Sequence, residues 1–348
     1  MNFPNAPFII PIFIPHWGCP HQCAFCNQVT ITGNTSPFPS KEELIRKINA
    51  YLSLKKDRIK PVQIAFYGGN FLGLQSKTIQ SLLTETEKFV YSGKVESIRF
   101  STRPDTIAEQ QLDAIQKFTI STIELGAQSM DDHVLLKSNR GHTAGDTAKA
   151  AGLVRERGLK LGLQMMTGLP GDSEKRSLAT AHQIADLLPD FIRIYPTIVL
   201  AGSPLAAWYR TGKYSPMPLY ESVTLVKKIY QIFNRKSIPV IRIGLQASSE
   251  LDNGENLIAG PYHPAFGHMV FSEIFLEQVE NILKNKEGIR GKNIAIHVHP
   301  RSISKMRGLK NRNINILKNN FQLKSIAVLS NEKFGEDQIE VEIPAEEG

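Results

Sequence analysis

Between Pro61 and Phe233 the chain repeats one unit: a short apolar run ending in glycine, serine, arginine or glutamine, then a stretch whose apolar residues return at helical spacing. PVQIAFYGG (61–69) precedes KTIQSLLTETEKFVY (77–91). The pattern recurs as SIRFSTRP then AEQQLDAIQKF, TIELGAQSM then a stretch from about Thr143 to Arg157, and KLGLQMMTGLP then SLATAHQIADLL. It ends with DFIRIYPTIVL and, past an irregular loop, ESVTLVKKIYQIF. Gly158, directly after the basic run RER, suits a helix C-terminal cap. With the apolar N-terminal run read as a further strand, about six β/α units result. Such repetition implies a parallel sheet with helices outside it, either a complete or partial barrel or an open doubly wound sheet. In each case chemistry belongs at the C-terminal ends of the strands. The polar residues obey that rule: Gly68, Gly69 and Asn70 end one strand, Ser101 and Arg103 the next, Gln128 and Ser129 the one after.

The loop after the first strand is GCPHQCAFCNQ, and it holds all three cysteines of the 348 residues, Cys19, Cys23 and Cys26. An odd, clustered set with no partners elsewhere argues against a disulfide framework and for a reducing compartment, best the cytoplasm. Three thiolates hold zinc if a histidine completes the tetrahedron, and His16 and His21 are close in sequence. They also hold an iron–sulfur cluster with one iron left without a protein ligand. A structural zinc knuckle usually shows a second CxxC-like pair, and the chain has none, so ligand count favours the cluster.

CPHQCAFC has the CxxxCxxC spacing of the radical S-adenosylmethionine superfamily, which it resembles in its place after the first strand. The resemblance implies a [4Fe–4S] cluster on Cys19, Cys23 and Cys26, with S-adenosylmethionine chelating the fourth iron through its amino and carboxylate groups. One electron then cleaves the sulfonium bond to give methionine and a 5′-deoxyadenosyl radical, which abstracts hydrogen from a substrate. YGGNFLGL, FSTRPD, ELGAQSMDD, LLKSNRGH and MMTGLPG, with IRIGLQ (241–246) and AGPYHPAFG (259–267), are similar to the ordered motifs of the Elongator-protein-3-like branch over roughly residues 9–268. The implied fold is α/β, a (β/α)6 partial TIM barrel with a small α+β C-terminal extension. Its expected bounds are 1–245 for the core and 246–348 for the extension.

The same resemblance supplies site residues. Phe25 takes the family's aromatic position against the adenine or cluster, though loop packing serves equally well as its role. Gly68 and Gly69 would offer carbonyls to the methionine ammonium. The next residue is commonly an acid in the superfamily and is Asn70 here, which accepts hydrogen bonds without charge. Arg140 would pair with the cofactor carboxylate, a task suited to a guanidinium fork. Ser101, Gln128 and Gln164 sit where ribose hydroxyls need donors and acceptors, and Arg103 belongs to the same strand-end set. Alternation puts Glu124 on the face of Gln128, as a pocket acid or as an ion-pair partner of Arg103. His142, His263 and His268 receive no catalytic role, and Met165 and Met166 read mainly as core.

Elongator-type enzymes modify the wobble uridine of tRNA, with an acetyltransferase domain after the radical domain. Only about 80 residues follow Gly267 here, short of the roughly 150 that such a domain implies, so a radical core without it is expected. From Lys284 to Lys324 eleven Lys or Arg residues face one acid, Glu287. A phosphate backbone would be attracted there, as the overall net charge of +8 permits, or the acidic chain end from Glu332 to Glu347 balances it. Phe321 alone offers base stacking in that segment. NIAIHVHP, SIAVLSN and DQIEVEIP read as strands of the extension. The apolar stretch MNFPNAPFIIPIFIPHWG has no Lys or Arg, is broken by Pro7, Pro11 and Pro15, and falls short of a membrane span or signal peptide. The expected partners are a reductant such as flavodoxin or ferredoxin, and tRNA. A small metabolite as substrate, or a non-catalytic iron–sulfur or zinc protein that binds nucleic acid, are the competing readings.

Overall fold

A computed structural model describes residues 7–14, 18–27, 38–55, 60–245 and 256–344. It divides into two compact units, one of residues 2–219 and 229–262, the other of residues 220–228 with the chain from 263 onward.

The first unit follows the predicted alternation. In chain order it holds β1 (Phe8–Ile14), α1 (Lys41–Leu54), β2 (Val62–Gly68), α2 (Ser76–Tyr91), β3 (Ser97–Thr102), α3 (Glu109–Ile115) and β4 (Ile120–Gln128). Then come α4 (Asp132–Lys137), α5 (Ala144–Glu156), β5 (Lys160–Thr167), α6 (Glu174–Asp186), β6 (Phe191–Pro196), β7 (Val199–Leu200), α7 (Pro204–Arg210), α8 (Leu219–Arg235), of which residues 220–228 count with the other unit, β8 (Val240–Ile243) and β9 (Leu257–Ala259). Local chemistry sets several ends. Ser40 with Glu43, and Thr143 with Asp146, close capping boxes at the starts of α1 and α5. Gly158 takes a φ of 67° just past α5 and lets the chain leave the helix.

Seven strands form one parallel sheet in the order β1-β2-β3-β4-β5-β6-β8, with β7 and β9 paired separately. The seventh strand, β8, comes from IRIGLQ, which the β/α count left out because four residues between a helix and a loop carry little periodicity. Period-2 alternation sorts each strand into two faces. Ile64, Phe66, Ile98, Phe100, Ile123 and Ile194 are fully buried on one. The other carries Gln63, Tyr67, Arg99, Glu124, Gln164 and Arg193. The sheet curls about that polar face into a half-barrel. Arg193 on β6 donates to the Tyr67 hydroxyl on β2 at 3.2 Å, although strands four apart in a flat sheet lie about 19 Å from each other.

The second unit contains α9 (Phe266–Lys284), β10 (Asn293–Val298), α10 (Ile303–Arg307), α11 (Arg312–Asn320), β11 (Ser325–Ser330) and β12 (Ile339–Glu342). The three predicted strands form a sheet in the order β11-β10-β12, and Val279, Leu283, Ile296, Met306 and Leu317 belong to its apolar core. Its basic segment is partly neutralised from the acidic chain end, where Arg301 and Lys305 pair with Glu336, and His297 Nε2 lies within hydrogen-bond reach of Glu342. Among the described residues no helix is long and apolar enough to cross a membrane.

Candidate functional site

The cysteine loop is stitched across the strand ends by backbone bonds. Ala24 N–H donates to the Ser138 carbonyl after α4 at 2.9 Å, and Leu205 N–H on α7 donates to the Ala24 carbonyl at 2.9 Å. Asn27 Nδ2 donates to the Ala201 carbonyl at 2.6 Å. Gly18 opens the loop with a φ of 75°, and a Cβ there would lie 2.2 Å from the Asn70 carbonyl, so only glycine fits this approach.

Asn70 holds the other end. Fully buried, it donates from Nδ2 to the Gly18 carbonyl at 2.8 Å. Its Oδ1 accepts from Thr102 Oγ1 at 2.6 Å, Thr106 Oγ1 at 2.9 Å and Arg103 N–H at 3.0 Å. An ionised acid at this position could accept those bonds and could not donate to Gly18, which gives the departure from the superfamily pattern a physical reason. The amide oxygen is already taken by three donors, so Asn70 ties the cysteine loop to the ends of β2 and β3.

Two arginines converge on Cys23, which is 5% exposed. Arg140 Nη1 lies 3.3 Å from its sulfur and Arg103 Nη1 3.8 Å from it. Arg103 is aimed by Asp105, to which Nε donates at 2.9 Å, and by the Arg140 carbonyl at 2.5 Å. Arg140 Nη2 donates to the Gly126 carbonyl at 2.6 Å, and a Cβ on Gly126 would come within 2.9 Å of that nitrogen. Burial and the neighbouring Cys23 push the Cys19 thiol up, while Arg140 and Arg103 oppose the rise. His142 is held neutral, its value lowered to about 3 by burial and by the same two guanidinium groups. Its Nε2 faces the Ala127 carbonyl at 3.2 Å and is therefore the protonated nitrogen. Among the described residues, His142 Nδ1 and Arg140 Nε are buried without a hydrogen-bond partner.

The remaining predicted residues fall around this centre. Gly68 adopts a φ of 104°, and Gly69 N–H donates to the Ile14 carbonyl at 2.9 Å. Gln164 Nε2 donates to Gln128 Oε1 at 3.1 Å, while Gln128 stands at a φ of 68° past a bulge in β4. That bulge breaks the alternation on which the shared face of Glu124 and Gln128 was argued. Ser101, half-buried, registers with Glu124. Phe25 is half-buried and packs on the apolar groups around Met166 and Leu169 and around Val199 and Leu205. Met165 and Met166 are buried.

Glu124 does not pair with Arg103. Its oxygens accept from Arg99 Nη2 at 2.6 Å and Arg193 Nε at 2.7 Å, because β3 and β6 present those residues to its level of the polar face and Arg103 lies beyond the end of β3. Burial opposes its ionisation, and Arg193 and Arg99 overcome that, holding the carboxyl below the usual range. Arg99, Arg193 and Tyr67 had no place among the predicted residues. The signal for the two arginines was the tripeptide Ile-Arg-Phe or Ile-Arg-Ile inside apolar strands, at Arg99, Arg193 and again at Arg242.

Among the described residues no three His, Cys, Asp or Glu side chains converge on a single ion. His16, one candidate for completing a zinc site, lies outside the described residues, and His21 rests against Gly141.

Residues 14–184 match the radical SAM superfamily, and residues 189–275 match the radical SAM C-terminal domain. The chain belongs to the radical S-adenosylmethionine superfamily. It is an enzyme of that superfamily, and its relatives include proteins named Elongator complex protein 3 and tRNA uridine(34) acetyltransferase. It is 26% identical over 285 residues to a tRNA uridine(34) acetyltransferase of Dehalococcoides mccartyi, covering 70% of this chain and 62% of that protein. It is 27% identical to Elongator complex protein 3 of Saccharomyces cerevisiae, over 49% of this chain and 34% of that one. The chain thus spans less than two-thirds of these relatives. An archaeal Elongator protein 3 structure from Methanocaldococcus infernus shares the fold, with a TM-score of 0.61 at 19% identity over 82% of this chain and 65% of that one.

Superfamily membership implies a [4Fe–4S] cluster and S-adenosylmethionine. The residues present fit both: three thiols on one loop, two guanidinium groups to offset thiolate charge, and buried polar atoms at Arg140 and His142 without partners among the described residues.

Proposed function

We propose that the protein cleaves S-adenosylmethionine reductively at a [4Fe–4S] cluster held by Cys19, Cys23 and Cys26, and that the radical so formed acts on RNA, tRNA in the first place. The observation that carries this reading is the approach of Arg140 and Arg103 to Cys23 at the C-terminal ends of the strands. When bound, the cluster supplies one electron to the sulfonium, giving methionine and a 5′-deoxyadenosyl radical. The chain's own work is positioning. Arg140, with Nε unclaimed among the described residues, is available to the cofactor carboxylate, and Arg103 fixes the loop that carries Arg140. Gly68 and Gly69 leave backbone accessible at the end of β2, while Ser101, Gln128 and Gln164 present hydroxyl and amide groups to the ribose. Phe25 seals the loop against the apolar groups beneath it and keeps water from that side. Asn70 acts through the loop it anchors.

The tRNA assignment draws on the names of the relatives and on the exposed cations of the C-terminal unit. A reducing compartment, the cytoplasm, and a flavodoxin- or ferredoxin-like electron donor complete the reading. The test is 5′-deoxyadenosine formation by anaerobically reconstituted protein given S-adenosylmethionine and a strong reductant, with and without bulk tRNA. Formation that vanishes in Cys23→Ala and rises with tRNA is expected. Protein that holds iron and sulfide yet forms none would instead be a non-catalytic cluster protein.

A further inference from the structure

Among the described residues, the polar face of the half-barrel carries more positive charge than its acids neutralise. Its charged residues are Arg99, Glu124, Arg193 and Arg242, with Lys160 exposed at the foot of β5. Glu124 is fully committed, one oxygen to Arg99 and the other to Arg193. Arg193 spends its remaining reach on Tyr67, donating to the hydroxyl at 3.2 Å with its guanidinium 5.6 Å from the ring centre. Arg242 is left over. Register pairs it with Arg193 and pairs Ile243 with the fully buried Ile194, so Arg242 shares the polar face. It is half-buried, and among the described residues its guanidinium has no hydrogen bond or ion pair.

A guanidinium offers five donors in a planar fork, is weakly hydrated, and is never neutral at physiological pH. Partly withdrawn from water on a face of net positive charge, it calls for an oxyanion from outside the chain. Its level along the strands is informative. Gly126, Gln164, Arg193 and Arg242 form one register row, and the Gly126 carbonyl receives Arg140. Arg242 therefore stands on the tier of the proposed cofactor residues, three strands along the sheet from β4, about 14 Å by strand spacing.

We propose that Arg242 anchors the anionic group of the substrate, a carboxylate or phosphate, beside Arg193 on the polar face of the half-barrel. As a substrate anchor this rests on the radical-enzyme reading; as an oxyanion site it stands without it. A fork on β8 would hold one end of the substrate at the edge strand and leave the rest facing the cofactor.

The test is calorimetric titration of the reconstituted protein, saturated with S-adenosylmethionine so that Arg140 is occupied, with inorganic phosphate and with succinate as probes. At least one should bind, with affinity falling tenfold or more in Arg242→Ala and less in Arg242→Lys, which keeps charge and loses the fork. Arg155→Ala, an exposed arginine at the end of α5, should bind within threefold of wild type. Melting temperature and iron content check that the variants are folded and loaded, and Arg242→Met replaces Arg242→Ala if the latter fails that check. Binding of neither probe by wild type, or wild-type affinity in Arg242→Ala and Arg242→Met, overturns the proposal. Competition between the bound probe and tRNA-stimulated 5′-deoxyadenosine formation assigns the oxyanion to a nucleotide phosphate; binding without competition assigns it to a small molecule. Wild-type protein that binds the probe through Arg242 and never cleaves S-adenosylmethionine would sink the radical reading and keep the anion site.

Discussion

Arg99, Arg103 and Arg140 in the half-barrel are 5%, 2% and 6% exposed, whereas Arg301, Arg307 and Lys310 in the C-terminal unit face solvent. Both regions carry arginines, yet the positive charge is used differently. An exposed pair such as Arg301 with Glu336 contributes about 0–1 kcal/mol and is screened by salt. A buried guanidinium costs several kcal/mol unless carboxylates, carbonyls or a ligand meet it, so its position must be specified by the whole fold. The density of cations along a sequence thus locates solvated surface, whereas single arginines inside apolar strands or just past their ends locate the buried polar face and the candidate site.

The sharpest way to break this contrast is to remove the one acid of the buried set. Glu124→Gln leaves Arg99 and Arg193 without countercharge and should cost about 3–5 kcal/mol in urea unfolding, against less than about 1 kcal/mol for Glu336→Gln in the other unit. Equal losses would erase the distinction.

Asn70→Ala comes next, with about 2–4 kcal/mol expected from the loss of its hydrogen bonds. In the apoprotein Cys23 should also react faster with a thiol reagent, because the loop is no longer held at Gly18. An unchanged reaction rate would mean that the loop is fixed by its other contacts alone.

A third effect depends on pH. The folded-state value of His142, about 3, lies below the ordinary 6.5, so its contribution is complete above pH 6.5 and is lost as pH falls toward 3. Between pH 6.5 and 5 the apoprotein should lose about 2 kcal/mol that His142→Gln does not lose, read as the difference in urea midpoints. Parallel profiles would show that His142 is not the neutral, buried group described.

The smallest effect belongs to the exposed cations. Lys310→Ala and Arg307→Ala should each change stability by under about 0.5 kcal/mol. If tRNA is bound through them, each should lower the slope of binding against salt by about one.

Periodicity and spacing carried much of this protein. The β/α alternation fixed a parallel sheet with helices outside it, since a 2-residue and a 3.6-residue repeat are local properties. The cysteine spacing and the order of the strand-end motifs pointed to the superfamily for the same reason: each is contained in a few neighbouring residues. The extension's strands were legible too, while the brief strand at Val240–Ile243 was not.

What only the tertiary structure decided is which group meets which. Glu124 takes Arg99 and Arg193 because the sheet curls β6 toward β2 and β4, an outcome of strand register and twist over seventy residues. Asn70 serves the cysteine loop because the end of β2 passes against Gly18. Among the described residues Arg242 is left without a partner by the same geometry, since Glu124, the acid that meets its neighbour Arg193, is already spent. Local sequence sets the faces of strands and helices; the pairing of charges across a curved sheet depends on distances that no local pattern contains.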